Sequence, residues 1–228
     1  MSDLYETMRN APTTRRYRDT PVDAGAIRRV LENARFAPSG GNRQGWRLVL
    51  VDDPGLRRAL RDLYLPGWRA YLEQTGAAKA LAAVAAGELD ERRIRMLRNA
   101  NDYAEHLDEV PLHIVVGVDL GALALVDREL DRPSIAGGAS IYPFVQNVLL
   151  GLRAEGLGAA FTTLLTPAEP QVRELLGIPD EIAIAGHIGV GERADPWPKR
   201  LARNPVESFA FANRWGEPLG GSPGDGSD

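Results

Sequence analysis

Cysteine is absent from the 228 residues. That one gap excludes thiolate nucleophiles, Cys-ligated zinc, iron–sulfur clusters and a disulfide framework. Histidine is scarce: His106, His113 and His187 are the only three, and no two stand at the i, i+4 or short-loop spacing of a metal site. Lys79 and Lys199 are the only lysines among 27 basic residues. With a formal charge of −4 and a pI near 5.5, the chain as a whole does not attract polyanions, so no nucleic-acid partner is expected and any anion site must be a local concentration of arginine. No stretch approaches the roughly 18 apolar residues of a membrane span, and residues 1–10 lack the basic-then-apolar pattern of an export signal. The expected setting is the reducing cytoplasm, without a membrane partner. Catalytic motifs are missing as well: there is no G-x-S-x-G elbow and no Walker loop, and "GLGAAF" (156–161) precedes its expected strand, the wrong order for dinucleotide binding. An enzyme so poor in conventional catalytic side chains leaves its chemistry to a cofactor.

What the chain does have is ordinary globular material, with 44% hydrophobic and 25% charged residues. Its length allows a full core without metal or disulfide support. Asp23 reads as the N-cap of a helix whose Ile27, Val30, Leu31 and Ala34 recur at helical spacing before Pro38. "WRLVLV" (46–51) and "LHIVVGV" (112–118) read as buried strands, and Asp53-Pro54 as the start of a helix through Leu63. From about 139 to 155 the apolar residues cover more than one helical face, placing this helix at the centre of the core or of a dimer. A third strand is expected from about Ala159, a capping box at Thr166 to Glu169 with closure at Gly177, a fourth strand over 181–191 and a helix near 206–213. Residues 66–105 differ in texture and fit either a lid or two packing helices, and 216–228 form a polar, glycine-rich tail. Strands and helices mix without repeat or linker, so the expected fold class is α+β (mixed α/β), a single domain over 1–215.

Two stretches stand out. "TTRRYRDTPV" (13–22) gathers Arg15, Arg16 and Arg18, and "APSGGNRQGW" (37–46) offers glycines, the Ser39 hydroxyl and the Asn42 amide. Guanidinium groups bind phosphate bidentately and cannot lose their charge, and a glycine-rich turn lets backbone N–H groups approach a ligand closely. The pair suits a mononucleotide cofactor.

These stretches resemble the FMN-dependent nitroreductase family, in which an Arg-rich start, a Pro-Val pair, a helix and an "A-P-S-x-x-N-x-Q-x-W" loop into a strand recur in this order. "VQNVLLGLRAEGLGAAFTTL" (145–164) and "ELLGIPDEIAIAGHIGVGERADPWPKRLARNPVES" (174–208) are similar to the family's core helix, last strand and basic C-terminal loop. The resemblance covers about residues 8–215. It departs at Tyr17, where many relatives carry a small hydroxyl residue, and at Gly45, where a proline is common.

The resemblance implies a central, mostly antiparallel sheet flanked by helices, in an intertwined homodimer with shared active sites. It implies FMN as cofactor, its phosphate held by Arg15 and Arg16 with Lys199, Arg200 or Arg203, and Arg18 nearer the ring. Pro38, Ser39, Gly40 and Asn42, with Gln44 following, would cover the flavin from the opposite subunit, and the Thr162, Thr163, Leu164 backbone would meet flavin N5. The implied reaction is ping-pong hydride transfer from NAD(P)H to a nitroaromatic, quinone or related electron-poor small molecule, with no catalytic side chain of its own and no metal. Dehalogenation, dehydrogenation, or flavin binding without turnover are the alternatives. Trp68, Tyr71 and Tyr103 are candidates to stack on the acceptor, because aromatic faces suit planar substrates.

Overall fold

The computed structural model describes residues 3–77 and 91–219. Its centre is a four-stranded sheet in which every neighbouring pair is antiparallel, in the order β1 (Trp46–Val51), β2 (Leu112–Asp119), β4 (Ile182–Glu192), β3 (Leu157–Thr162). β2 and β4 are the inner strands, and their near-continuous apolar composition follows from burial on both faces. A bulge between Val116 and Gly117 leaves Ala185 of β4 without a partner residue.

Two helical layers cover this sheet. On one face lie α2 (Ala24–Ala34) and α5 (Tyr142–Ala154), whose Ile27, Val30, Phe144, Val148 and Leu152 meet Ile114, Val116, Ile188 and Val190. Gly151 brings the two helices together, because a Cβ there would stand 3.0 Å from Val30. The opposite face carries α3 (Pro54–Gln74), α4 (Glu91–Glu105) and α6 (Glu169–Leu176), with Leu60, Tyr64, Trp68, Tyr103 and Val172 packed on Val51, Val115, Ala160 and Ile184. A short helix, α1 (Leu4–Asn10), precedes them.

Local signals act as expected at several ends. The Asp23 carboxylate accepts from the Gly25 and Ala26 N–H groups, and Asp53 from Leu56 N–H. Gly177 closes α6 with φ of 64°. Three expectations need correction. α3 continues through Pro66 to Gln74 as one helix, because Trp68 and Leu72 extend its buried stripe. The capping box at Thr166 does not form: Glu169 turns instead to the sheet, where its carboxylate accepts from Ile184 N–H at 2.6 Å. The helix expected over 206–213 is only a single turn, Val206–Ser208; Phe209 exposes most of its ring and offers no packed face to sustain a longer helix.

Among the described residues, no helix is long and apolar enough to cross a membrane. Of the segment considered as a lid, 78–90 lie outside the described residues, as do 220–228 of the tail.

Candidate functional site

The N-terminal segment passes across the ends of β3 and β4 as extended chain. Thr14 N–H donates to Ala159 O at 2.8 Å, Arg18 N–H to Glu192 O at 2.9 Å, and Ala194 N–H to Arg16 O at 3.1 Å. Extended backbone alternates its side chains, so this docking sorts the arginines. Arg16 and Arg18 face outward, paired with Asp195 at 3.3 Å and Glu192 at 3.0 Å. Arg15 and Tyr17 face inward. Tyr17 donates its hydroxyl to Thr14 O at 2.6 Å and lies 3.0 Å from Gly189 O, clamping the segment to β4. Burial pushes this phenol far above its usual range. The position that departs from the family pattern thus has a structural job, which the sequence did not disclose.

Arg15 is the only one of the three without a carboxylate partner among the described residues. Its charge acts on three phenols, Tyr17, Tyr64 and Tyr103, each of which burial raises above its ordinary value and Arg15 partly lowers. Arg15, Tyr17 and Tyr103 line a cleft of about 290 Å³ together with Asp102, His106 and Glu109, and the exposed Arg16 borders the same cleft. Tyr64 also feels the Thr162 hydroxyl, so the Arg15 head and the end of β3 converge on one ring.

β3 leads into the second feature. Beyond Thr162 the chain leaves the ladder, and the N–H groups of Thr163 and Leu164 donate to no group among the described residues. Gly67 of α3 holds this segment close: a Cβ at Gly67 would stand 2.6 Å from Leu164 O.

A third feature runs along the other face of β3. Thr13, Leu157, Phe161, Arg153, Trp197 and Arg203 line a cavity of about 460 Å³ that contains no carboxylate. Arg153 stacks on the Trp197 ring at 4.0 Å, with Arg193 at 5.6 Å from the same ring. The Arg203 guanidinium donates to Ala202 O and has no acidic partner among the described residues. Arg203 therefore borders a different cavity from Arg15 and Arg16. Arg15 and Arg16 both line the other cleft, beside Tyr17 and Tyr103. Lys199 and Arg200 are exposed and lie outside the cavity.

The Pro38–Gln44 loop is built by local constraint. Gly41, Asn42 and Gln44 all have positive φ, at 60°, 55° and 50°, a run that Asn tolerates and Gly favours. Ser39 Oγ accepts from Gln44 N–H at 3.0 Å, Gln44 Nε2 donates to Asn42 Oδ1 at 3.2 Å, and Gly40 N–H donates to Ser140 Oγ at 3.1 Å. The loop is exposed apart from the half-buried Ser39. Gly45 then enters β1 where only glycine fits, a Cβ standing 2.6 Å from that of Ala122.

The aromatic candidates divide. Trp68 and Tyr103 are core residues, 6% and 3% exposed. Trp68 donates from Nε1 to Asn101 Oδ1 at 2.9 Å, joining α3 to α4. Tyr71 is exposed and stacks on Trp68 with ring centroids 5.7 Å apart. His106 lies on the surface against Asp102, whereas His113 and His187, 74 positions apart in sequence, meet in the interior.

Comparison with known proteins bears on the family and the fold. The model of the Nitroreductase family matches residues 8–192. A protein described as NADH dehydrogenase from Thermus thermophilus is 33% identical over 189 residues, covering 79% of this chain and 82% of its own. The 5,6-dimethylbenzimidazole synthase of Rhodospirillum rubrum is 28% identical over 214 residues, 90% of this chain and 87% of its own. Among solved structures, oxidised iodotyrosine deiodinase bound to FMN and 3-iodo-L-tyrosine superposes with a TM-score of 0.65 at 23% identity, covering 90% of this chain and 96% of the other, which shows the fold. A family match over most of the length, a relative above 30% identity and a shared architecture lead to one conclusion: the chain belongs to the nitroreductase family.

Proposed function

We propose that this protein is an FMN-dependent oxidoreductase that takes hydride from NADH or NADPH and delivers it to a small electron-poor acceptor such as a quinone or a nitroaromatic. The observation that carries the reading is Arg15, a guanidinium without a carboxylate partner among the described residues, whose charge reaches Tyr64 together with the hydroxyl of Thr162, the residue just before the free N–H groups of Thr163 and Leu164. This donor set suits a flavin. A fixed cation stabilises negative charge at the N1 and C2 carbonyl edge, and preorganised backbone donors meet an acceptor nitrogen. When bound, FMN supplies two-electron hydride transfer at N5.

The remaining groups have matching tasks. Arg203 with Arg153, in a cavity free of carboxylates, suits a phosphate, because guanidinium forks bind phosphate oxygens in pairs. The preformed Pro38–Gln44 loop covers the flavin of a second copy, and Tyr71, stacked on Trp68, provides an exposed aromatic face for the acceptor. Exposure supports a two-copy assembly: Phe36, Val126, Ile135 and Trp215 present 76%, 87%, 73% and 91% of their surface.

The test is spectroscopic. Purified protein titrated with FMN acquires bound-flavin absorption bands, which bleach on anaerobic addition of NADH or NADPH and return with a quinone. Absence of bound flavin at excess FMN would remove the reading, and bands that never bleach would reduce it to binding without turnover.

A further inference from the structure

Seven buried side-chain polar atoms lack a hydrogen-bond partner among the described residues, and five of them lie on α3, on α4 or on the sheet face beneath them: Arg57 Nε, Tyr103 OH, His113 Nε2, Thr162 Oγ1 and His187 Nδ1. Native interiors leave few such atoms, so five on one face call for a reason. Their order supplies it. His113 Nδ1 and His187 Nε2 are 2.8 Å apart, so each imidazole spends one nitrogen on the other, and the second nitrogen of each has no well-formed hydrogen bond among the described residues, with the Leu107 backbone near the His113 ring. These second nitrogens are the two ends of a two-ring chain.

Sheet register makes the pair possible. His113 stands opposite Gly189 and His187 opposite Val115, which makes the two histidines diagonal neighbours across a position without a side chain. His187 also stands opposite Thr162 of β3. Beyond Thr162 comes Tyr64, whose ring centroid is 6.2 Å from that of His187 and whose hydroxyl responds to both Thr162 and Arg15. On the other side, His113 faces the Leu107 backbone and the charge of Arg57. Arg57 lines an open cleft of about 350 Å³ with Asp19 and Asp52.

We propose that His113 and His187 form a proton relay through the interior, from the Arg57 cleft to the Thr162 end of β3. It rests on the reading above that Thr162–Leu164 face the reducing cofactor. Reduction of a quinone to the hydroquinone consumes one hydride and one proton: the hydride brings both electrons from the cofactor, and the relay brings the proton from solvent. A proton bound at His113 Nε2 releases the Nδ1 proton to His187 Nε2, and His187 Nδ1 releases its own proton towards the Thr162 and Tyr64 hydroxyls. No electrons move through the rings, and the bond between them reverses polarity. Both imidazoles are neutral at rest: burial and Arg57 lower His113 to about 4, and burial and His113 hold His187 well below its usual value. The groups facing the pair are Arg57 and Tyr64 from α3 and Tyr103 from α4, with Arg15 beyond the two tyrosines; among the described residues no carboxylate acts on either ring.

The first readout needs no turnover. In ¹⁵N-histidine-labelled protein without cofactor, His113 and His187 should both be neutral at pH 7 and show scalar coupling through one N–H···N bond. A cationic ring or no coupling overturns the proposal. The second readout compares acceptors in the FMN-loaded protein. His187→Phe should lower the ratio of quinone to ferricyanide reoxidation rates by about tenfold or more, since ferricyanide takes electrons without protons. An unchanged ratio would leave the pair a structural element only. Should His187→Phe fail to fold, solvent isotope effects on the unmodified protein decide: a larger effect with quinone than with ferricyanide supports the relay, and equal effects overturn it. Failure of unmodified protein to bind FMN would remove the relay's destination and the functional reading together, whereas failure of the relay alone leaves FMN binding intact.

Discussion

The two faces of the sheet are built differently. Against α2 and α5 the buried surface is apolar throughout, from Ile114 and Val116 to Ile188 and Val190. Against α3 and α4 the sheet presents His113, His187 and Thr162 beneath Tyr64 and Tyr103, with polar atoms that the fold leaves without partners. Unpartnered buried donors and acceptors cost stability. Among the described residues most of these atoms lie on the α3 side, with Asn10 Oδ1 beside α5 the exception, and the cleft lined by Arg15 and Tyr103 opens on that polar side.

That division can be broken from either face. The largest loss of stability is expected from Leu152→Ala on the apolar side, where the side chain is fully buried: about 3 kcal/mol and a fall in Tm of roughly 6–12 °C. Its FMN affinity, measured by flavin fluorescence, should not change. Acid should act through the polar side. His113 binds a proton in the unfolded chain below the ordinary imidazole value of about 6.5 but in the folded chain only near 4. Between those values the unfolded state holds more protons, so stability falls as pH drops from about 6.5 to 4, by on the order of 3 kcal/mol from this residue. Thermal melts across that range should show the slope, and His113→Phe with His187→Phe should flatten it. Gly189→Ala should cost about 1–3 kcal/mol by chemical denaturation, since its Cβ would stand 2.4 Å from the Tyr103 hydroxyl. The smallest effect belongs to the outward arginines. Arg16→Ala and Arg18→Ala each remove an exposed ion pair, expected to contribute less than about 1 kcal/mol.

How much of this was readable beforehand depended on range. The Asp23 and Asp53 caps, the Trp46–Val51 strand and the Gly177 stop are set by residues within a few positions, and the structure has them where local chemistry puts them. Glu169 was misread because its partner, Ile184 N–H, lies on another element. Trp68 was a candidate to stack on the acceptor because nothing local announces its partner Asn101, 33 positions away. The arginine cluster was visible as composition. Which arginine turns inward depended on the docking of Thr14 and Arg18 on two strand ends, which only the fold supplies. The imidazole pair was invisible for the same reason, since only the β2–β4 register brings it together.

The measurement that tests the account most directly is the FMN dissociation constant of Arg15→Ala beside that of the unmodified protein, with the Tm of each. A charge-assisted bond of about 1.5–3 kcal/mol predicts a loss of affinity of roughly 10- to 150-fold with little change in Tm. Equal affinities would show that the inward arginine does not meet the cofactor, and would contradict the placement of the site.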